Sequence, residues 1–298
     1  MTTALVEQQT EDVERAAFYL RRALRRLEGQ YLADLTTGYR DLRGRLLQML
    51  QGHIALYGWQ ADPWFIHTIR RLLDRVDEQA EEMERALGSR MSSDWDRAYR
   101  MGYFGIAWFL SRLVGATYPL RISRLDAAML QAIRDYPYEG ATFYQRLGDY
   151  RFEFIRKLRR ELTLSITSKE SSQQAAHRLR SALRIPQNQA ELLARTELQH
   201  AANLGIGALL AQNPNVVARW QWSALLDERT CPICRGLHGQ IFDVGQPTPP
   251  RHARCRCLAT PLAKDRSATA AVWGGVVTYA AWAAIHGILD NDDGGLRE

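Results

Sequence analysis

The sequence predicts a mainly α protein: a long N-terminal helical region (1–164), a small α+β module (165–262) and a C-terminal apolar helix with an acidic tail (263–298). Three observations predict it. Apolar residues recur at three- and four-residue steps over most of the first 180 positions. All four cysteines fall between Cys231 and Cys257, and Ala268–Leu289 carries no formal charge. With 298 residues, 46% of them hydrophobic, the chain can fill real cores and reads as about two domains.

The helical region comes first. Val13, Ala17, Leu20, Leu24 and Leu27 form one stripe, with Arg21, Arg22, Arg25 and Arg26 on the other faces, the pattern of an amphipathic helix. Further helices are expected at Leu32–Tyr57, Trp64–Leu87, Ser93–Val114, Ile122–Asp135 and Thr142–Leu164. Gly58, Asp62-Pro63, Gly88, Gly115, Pro119 and Pro137 separate them, because glycine and proline interrupt helices. Such a region, with arginine on its exposed faces and no catalytic group in view, reads as a bundle or extended arm made for contact. Of 39 basic residues only Lys157, Lys169 and Lys264 are lysine. That bias suits planar contact with carboxylates or phosphates, and a GC-rich genome explains it equally well. The net charge of +6 does not by itself make a nucleic-acid binder. Arg156, Lys157, Arg159 and Arg160 beside Phe152 and Phe154 are read as a solvated helix face, or as paired with Glu153 and Glu161 at neighbouring turns.

Near Ser165 a new unit begins. Thr167–Leu183 is a short helix that Ile185-Pro186 breaks, and Asn188–Gln212 is a longer one. Val216–Ala224 then alternates as a strand does, with Trp220 and Trp222 two apart. Gly239–Phe242 is a second short strand, and Cys255–Pro261 begins a third.

Around those strands stand Cys231-Pro-Ile-Cys234-Arg-Gly236 and His252-Ala-Arg-Cys255-Arg-Cys257. A Cys-x2-Cys pair on a tight turn aims two thiolates at one point, and Gly236 is expected to let the backbone fold over the first sulfur. A second group some 17 residues on closes a tetrahedron, the spacing of a structural zinc site of the ribbon or knuckle kind. Cys231, Cys234, His252, Cys255 and Cys257 offer five donors for four positions. Two disulfides are the competing reading. The N-terminus shows no basic segment followed by an apolar run, so a reducing cytosol is expected, where clustered cysteines bind metal. A site closed by four protein ligands holds a fold together and does no chemistry, and its zinc supplies stability the small module lacks.

No enzyme is expected. Arg195 and Glu197, two apart on a helix, point in different directions and lack a nucleophile, so they are read as polar pins between the long helix and the metal-bound loops. His177, His200 and His238 are read as core, surface or turn residues.

The run Ala194-Arg-Thr-Glu197, the Trp220/Trp222 pair, Asp227-Glu-Arg-Thr-Cys231-Pro-Ile-Cys234, Gly239 and Pro249-Pro-Arg-His252-Ala-Arg-Cys255-Arg-Cys257 resembles the Mu F-like phage head morphogenesis proteins. It covers roughly 165–262, in the family's order. His238 departs from the family's usual aspartate or asparagine before the glycine, which touches turn chemistry alone. The resemblance implies a minor capsid protein of a tailed bacteriophage, made in the host cytoplasm and housed in the virion. Its partners would be the portal or major capsid protein, other copies of itself, and packaged DNA. It would assist head assembly and DNA packaging or ejection.

Two further classes compete. A zinc-containing nucleic-acid-binding protein requires Arg251, Arg254 and Arg256 on a free surface. A membrane-active ejection protein requires Ala268–Leu289 to enter a bilayer. That run is long enough, but it is poor in leucine, isoleucine and valine, so a helix buried against protein is the better reading.

Overall fold

A computed structural model describes residues 3–57, 63–114, 119–135 and 140–264. The apolar run Ala268–Leu289 and the C-terminal helix read from it lie outside the described residues. Within them the protein is mainly helical, with α1 (Thr3–Tyr57), α2 (Pro63–Val114), α3 (Ala127–Arg134), α4 (Phe143–Thr167), α5 (Ser172–Gln212) and α6 (Pro232–Leu237). The strands β1 (Val217–Ser223), β2 (Ile241–Asp243) and β3 (Leu258–Ala263) form one antiparallel sheet in the order β2-β1-β3. Among the described residues no helix is long and apolar enough to cross a membrane.

Two of the expected helix breaks are absent, with Gly88 inside α2 and Pro186 inside α5, and the gap expected between Leu27 and Leu32 is likewise bridged, with Gly29 inside α1. An interior glycine costs a helix about 1 kcal/mol and a proline about 3 kcal/mol. In each case a buried stripe runs past the interruption: Leu24, Leu27, Tyr31 and Leu35 across Gly29, Met83, Met91 and Trp95 across Gly88, and Leu179, Ala182, Ala190 and Ala194 across Pro186. Burying several such side chains, at about 1.5–3 kcal/mol for a large one and about 0.8 kcal/mol for an alanine methyl, outweighs one poor helix former. Elsewhere local signals set the ends. Asp126 accepts from the Met129 backbone N–H at 2.8 Å, so α3 starts at Ala127 and not at Ile122. Reciprocal capping boxes open α4, between Thr142 and Gln145, and α5, between Ser171 and Gln174.

The chain divides into two compact units. One draws on Gln30–Ser92 and Ile133–Ala194. In it Tyr39 meets Phe154 edge to face at 5.6 Å. Arg159 of the basic α4 segment donates to Asp77 at 2.9 Å and lies 3.5 Å from Asp74, while Arg156 pairs with Glu153. These pairings bear out the reading of Phe152–Arg160 as an ion-paired helix face; the partners of Arg159 lie on α2 and not on the next turn.

The other unit draws on Met1–Gly29, Ser93–Ala132 and Arg195–Glu298. In it α2 and α5 cross backbone to backbone. A Cβ on Gly102 would lie 1.9 Å from the Ala202 carbonyl oxygen, and one on Gly205 would lie 2.1 Å from that of Tyr99. Beside this crossing the Tyr103 hydroxyl donates to Gln212 at 2.6 Å and accepts from the Ser123 N–H at 2.8 Å. The sheet belongs to the same unit. Trp220 and Trp222 are both buried on β1, and Phe242 of β2 stacks on Trp220 at 4.6 Å. Arg21 of α1 donates to the Ser223 carbonyl at 2.7 Å and to its hydroxyl at 2.8 Å, fastening the strand end to the helix.

Candidate metal centre

Two loops at the end of the sheet carry the cysteines. The first ends in the one-and-a-half-turn α6. Cys231 is its N-cap, and its sulfur accepts from the Cys234 N–H at 3.3 Å, with Pro232 filling the first helical position where no donor is needed. Helical spacing then brings the Cys234 sulfur round beside that of Cys231. Gly236 has no part in this: it sits exposed within α6, with open space where a Cβ would be. The glycine the turn needs is Gly239, at φ +82°, whose N–H donates to the Trp222 carbonyl at 2.9 Å and starts the return into β2.

The second loop runs from Arg251 to Cys257 and enters β3 at Leu258. Cys255 and Cys257 therefore precede the strand and do not belong to it, yet both are buried and turn toward Cys234. His252 Nε2 lies 3.2 Å from the Cys231 sulfur and 3.1 Å from that of Cys234. The sulfurs of Cys234 and Cys255 are 3.7 Å apart. Two overlapping donor groups result, Cys231–Cys234–His252 and Cys234–Cys255–Cys257, each with its ligand atoms within 4.8 Å of one another. Cys234 belongs to both. All four cysteines are free thiols, so the disulfide reading finds no support.

Three separations match edges of a small tetrahedral site, while the donors form two groups of three. Metal–sulfur bonds of about 2.3 Å at tetrahedral angles give a sulfur–sulfur edge of about 3.8 Å, and sulfur–nitrogen edges of about 3.5 Å. The observed values lie within about half an ångström of both.

Proton distribution points the same way. Cys255 is drawn down to about 5, against its burial, chiefly by the hydrogen bond from the Cys257 thiol, with backbone N–H groups of Arg251 and Cys257 adding to it. Cys257 is pushed up because it donates to Cys255 and is buried. Burial lifts Cys234 to about 12, with Cys255 adding repulsion. Cys231 is lowered by the N–H of Cys234. For His252 burial works downward, but the Ala253 carbonyl and the neighbouring sulfurs raise it. Four sulfurs crowded this closely compete for protons, and a cation among them relieves the competition.

Residues of α5 beyond Arg195 and Glu197 hold the second loop. Arg195 pairs with Glu28 of α1 at 2.6 Å, and Glu197 is buried. The residues of α5 that grip the loop are Thr196, Gln199 and Asn203. The Arg254 N–H donates to the Thr196 hydroxyl at 3.3 Å, and Gln199 and Asn203 both donate to the Cys257 carbonyl, at 2.9 and 3.1 Å. Asn203 also accepts from the Ala259 N–H at 2.9 Å. A polar side chain with poor helix propensity amid Ala201, Ala202 and Ile206 was the available signal. The first loop is fixed by Asp227, which takes both ends of Arg256 at 2.5 Å, with the Thr230 hydroxyl beside it. Arg256 and Thr230 hold the Asp227 carboxyl well below the usual carboxylate range. His238 accepts from the Ala224 N–H, His200 is buried on α5, and His177 is exposed; none joins the cluster.

Residues 156–260 match the family described as Phage Mu protein F like protein. Over this segment the chain is similar to the Mu F-like family. The match takes in α5, the whole first loop and all five donors, and nearly coincides with the extent of the resemblance read from the motifs. The Mu F-like family suggests a role in phage head morphogenesis and an association with the virion. No curated protein and no solved structure matches the chain.

Proposed function

We propose that the protein is a structural minor head protein of a tailed bacteriophage, attached at the portal vertex or the inner capsid. There it assists head assembly and DNA packaging or ejection, and it catalyses no reaction. The observation that carries this reading is the Mu F-like match over 156–260, with the five-donor cluster at its centre. Its partners are the portal or major capsid protein and other copies of itself.

The metal in this reading is zinc. Cys231, Cys234 and His252 supply three ligands, and Cys255 supplies the fourth, because its sulfur sits one tetrahedral edge from that of Cys234. Cys257 then serves as thiol donor to Cys255. Zinc closed in by four protein ligands ties α6 and the β3 entry to one point, and contributes folding energy.

Two measurements test the proposal. Purified full-length protein is expected to hold one zinc per chain; less than a tenth of that after expression in zinc-supplemented medium removes the metal from the reading. Mass spectrometry of purified phage heads is expected to find the protein in a few copies per particle, at a site that cryo-electron microscopy places beside the portal. Heads that lack it while remaining infectious refute the assignment.

A further inference from the structure

A cleft of about 500 Å³ opens beside the metal centre, and Cys255 is part of its wall. Six arginines line it: Arg21 and Arg25 from α1, Arg195 from α5, Arg229 from the first loop, and Arg254 and Arg256 from the second. Glu28 is bound to Arg195 and Asp227 to Arg256. Arg21 donates to the Ser223 carbonyl and hydroxyl. Arg25, Arg229 and Arg254 are exposed. The nearest acid to Arg229 is Asp227 at 3.9 Å, which Arg256 already holds.

Like charges gathered from four separate elements repel one another, and Arg25, Arg229 and Arg254 have no acid of their own among the described residues. One carboxylate or one free phosphate would neutralise a single guanidinium and leave the others. A chain of regularly spaced anions answers several at once. Guanidinium groups grip phosphate oxygens bidentately. Among the described residues the wall has no aromatic ring on which an unstacked base could lie. That favours a duplex, whose bases stay stacked on each other and whose backbone alone is presented.

We infer that this arginine cleft binds the phosphate backbone of duplex nucleic acid without regard to sequence, with Arg25, Arg229 and Arg254 as the contacting groups. The inference is read from the cleft itself and does not depend on where the protein sits in a particle. It also differs from the surface that the sequence suggested, since Arg256 is engaged by Asp227 and Arg251 lies over the Trp222 ring at 5.9 Å.

The test is fluorescence anisotropy of a labelled 30-base-pair duplex with the full chain, purified without chelator, over a salt series. Three neutralised phosphates give a slope of log K against log salt of about −2.7, which is about 40-fold weaker binding at 200 mM than at 50 mM salt. The triple variant Arg25→Gln/Arg229→Gln/Arg254→Gln is expected to lose most of that slope at an unchanged melting temperature. The matching lysine variants, which keep the charge, are expected to retain it. Arg156→Gln/Arg160→Gln, on the basic α4 face, is expected to leave it intact, and a scrambled duplex to bind equally well. No binding at 50 mM salt, or an unchanged slope in the glutamine triple variant, overturns the inference. Preference for polyglutamate over the duplex also overturns it and assigns the cleft to an acidic protein.

Discussion

Replacing Asn203 with alanine tests the link between α5 and the metal loop. The side chain is fully buried, donates to the Cys257 carbonyl and accepts from the Ala259 N–H. After truncation the Ala259 N–H, at the start of β3, has no acceptor. An unmet buried donor costs about 1–3 kcal/mol. The Cys257 carbonyl suffers less, because Gln199 still donates to it at 2.9 Å. The expected loss is about 2 kcal/mol, which lowers the melting temperature of a unit of this size by about 4–8 °C. Gln199→Ala is the comparison. It removes one of two donors to the same carbonyl from a half-buried position, and is expected to cost about 0.5–1 kcal/mol. The double variant should lose more than the two single losses added together, since the carbonyl then has neither donor. Thermal melts followed by circular dichroism read all three, and competition with a zinc chelator reads the effect on the metal, expected at about 10–100-fold for a group that orients a ligand loop. If Asn203→Ala costs no more than Gln199→Ala, the grip of α5 on the loop is not the one described.

Cys234 belongs to both donor groups, so Cys234→Ser is expected to abolish metal binding by elemental analysis and unfold the sheet and its loops, while most helical signal survives. Cys257→Ser is expected to retain metal, and metal loss in that variant as complete as in Cys234→Ser would move Cys257 into the ligand set. Gly205→Ala places a methyl group 2.1 Å from the Tyr99 oxygen, against an ordinary contact of 3.4 Å or more. Overpacking of about 1–3 kcal/mol outweighs the helix-propensity gain of about 1 kcal/mol, and a lowered melting temperature is expected. A variant more stable than wild type would mean that the helices separate freely. Asp227 contributes stability above its unfolded value of about 4, because its folded value is depressed by Arg256, and the contribution drains away as pH falls below that point. The melting difference between wild type and Asp227→Asn should therefore be full at pH 7 and shrink toward pH 3; a constant difference across that range contradicts the pairing.

The sequence disclosed the mainly helical class, the three strands and the cysteine cluster, because each depends on short-range pattern: stripes of leucine and alanine, alternation around Trp220, and the spacing of thiols. It did not disclose how far each helix runs. Gly29, Gly88 and Pro186 carry a local penalty that is visible in the chain, whereas the burial that overrides it depends on partners far away in sequence. The site divides in the same way. The five donors could be read from spacing, but Asn203 and Gln199 act on a carbonyl more than 50 residues away, and Asp227 on an arginine 29 residues on. Arg195 and Glu197 drew attention through their place in a motif; the residues with the grip, Thr196, Gln199 and Asn203, stand beside them on the same helix.

The contact of Gly102 with Ala202 and of Gly205 with Tyr99 leaves no side chain between two main chains. Rotamer changes, which let most helix pairs absorb a mutation, have nothing to act on there. The joint tolerates a single spacing, and an added methyl on one helix can be accommodated only by a compensating change on the other. Evolution at those four positions is expected to proceed by coupled replacement, which makes them a better ruler for aligning distant relatives than the more conspicuous tryptophans.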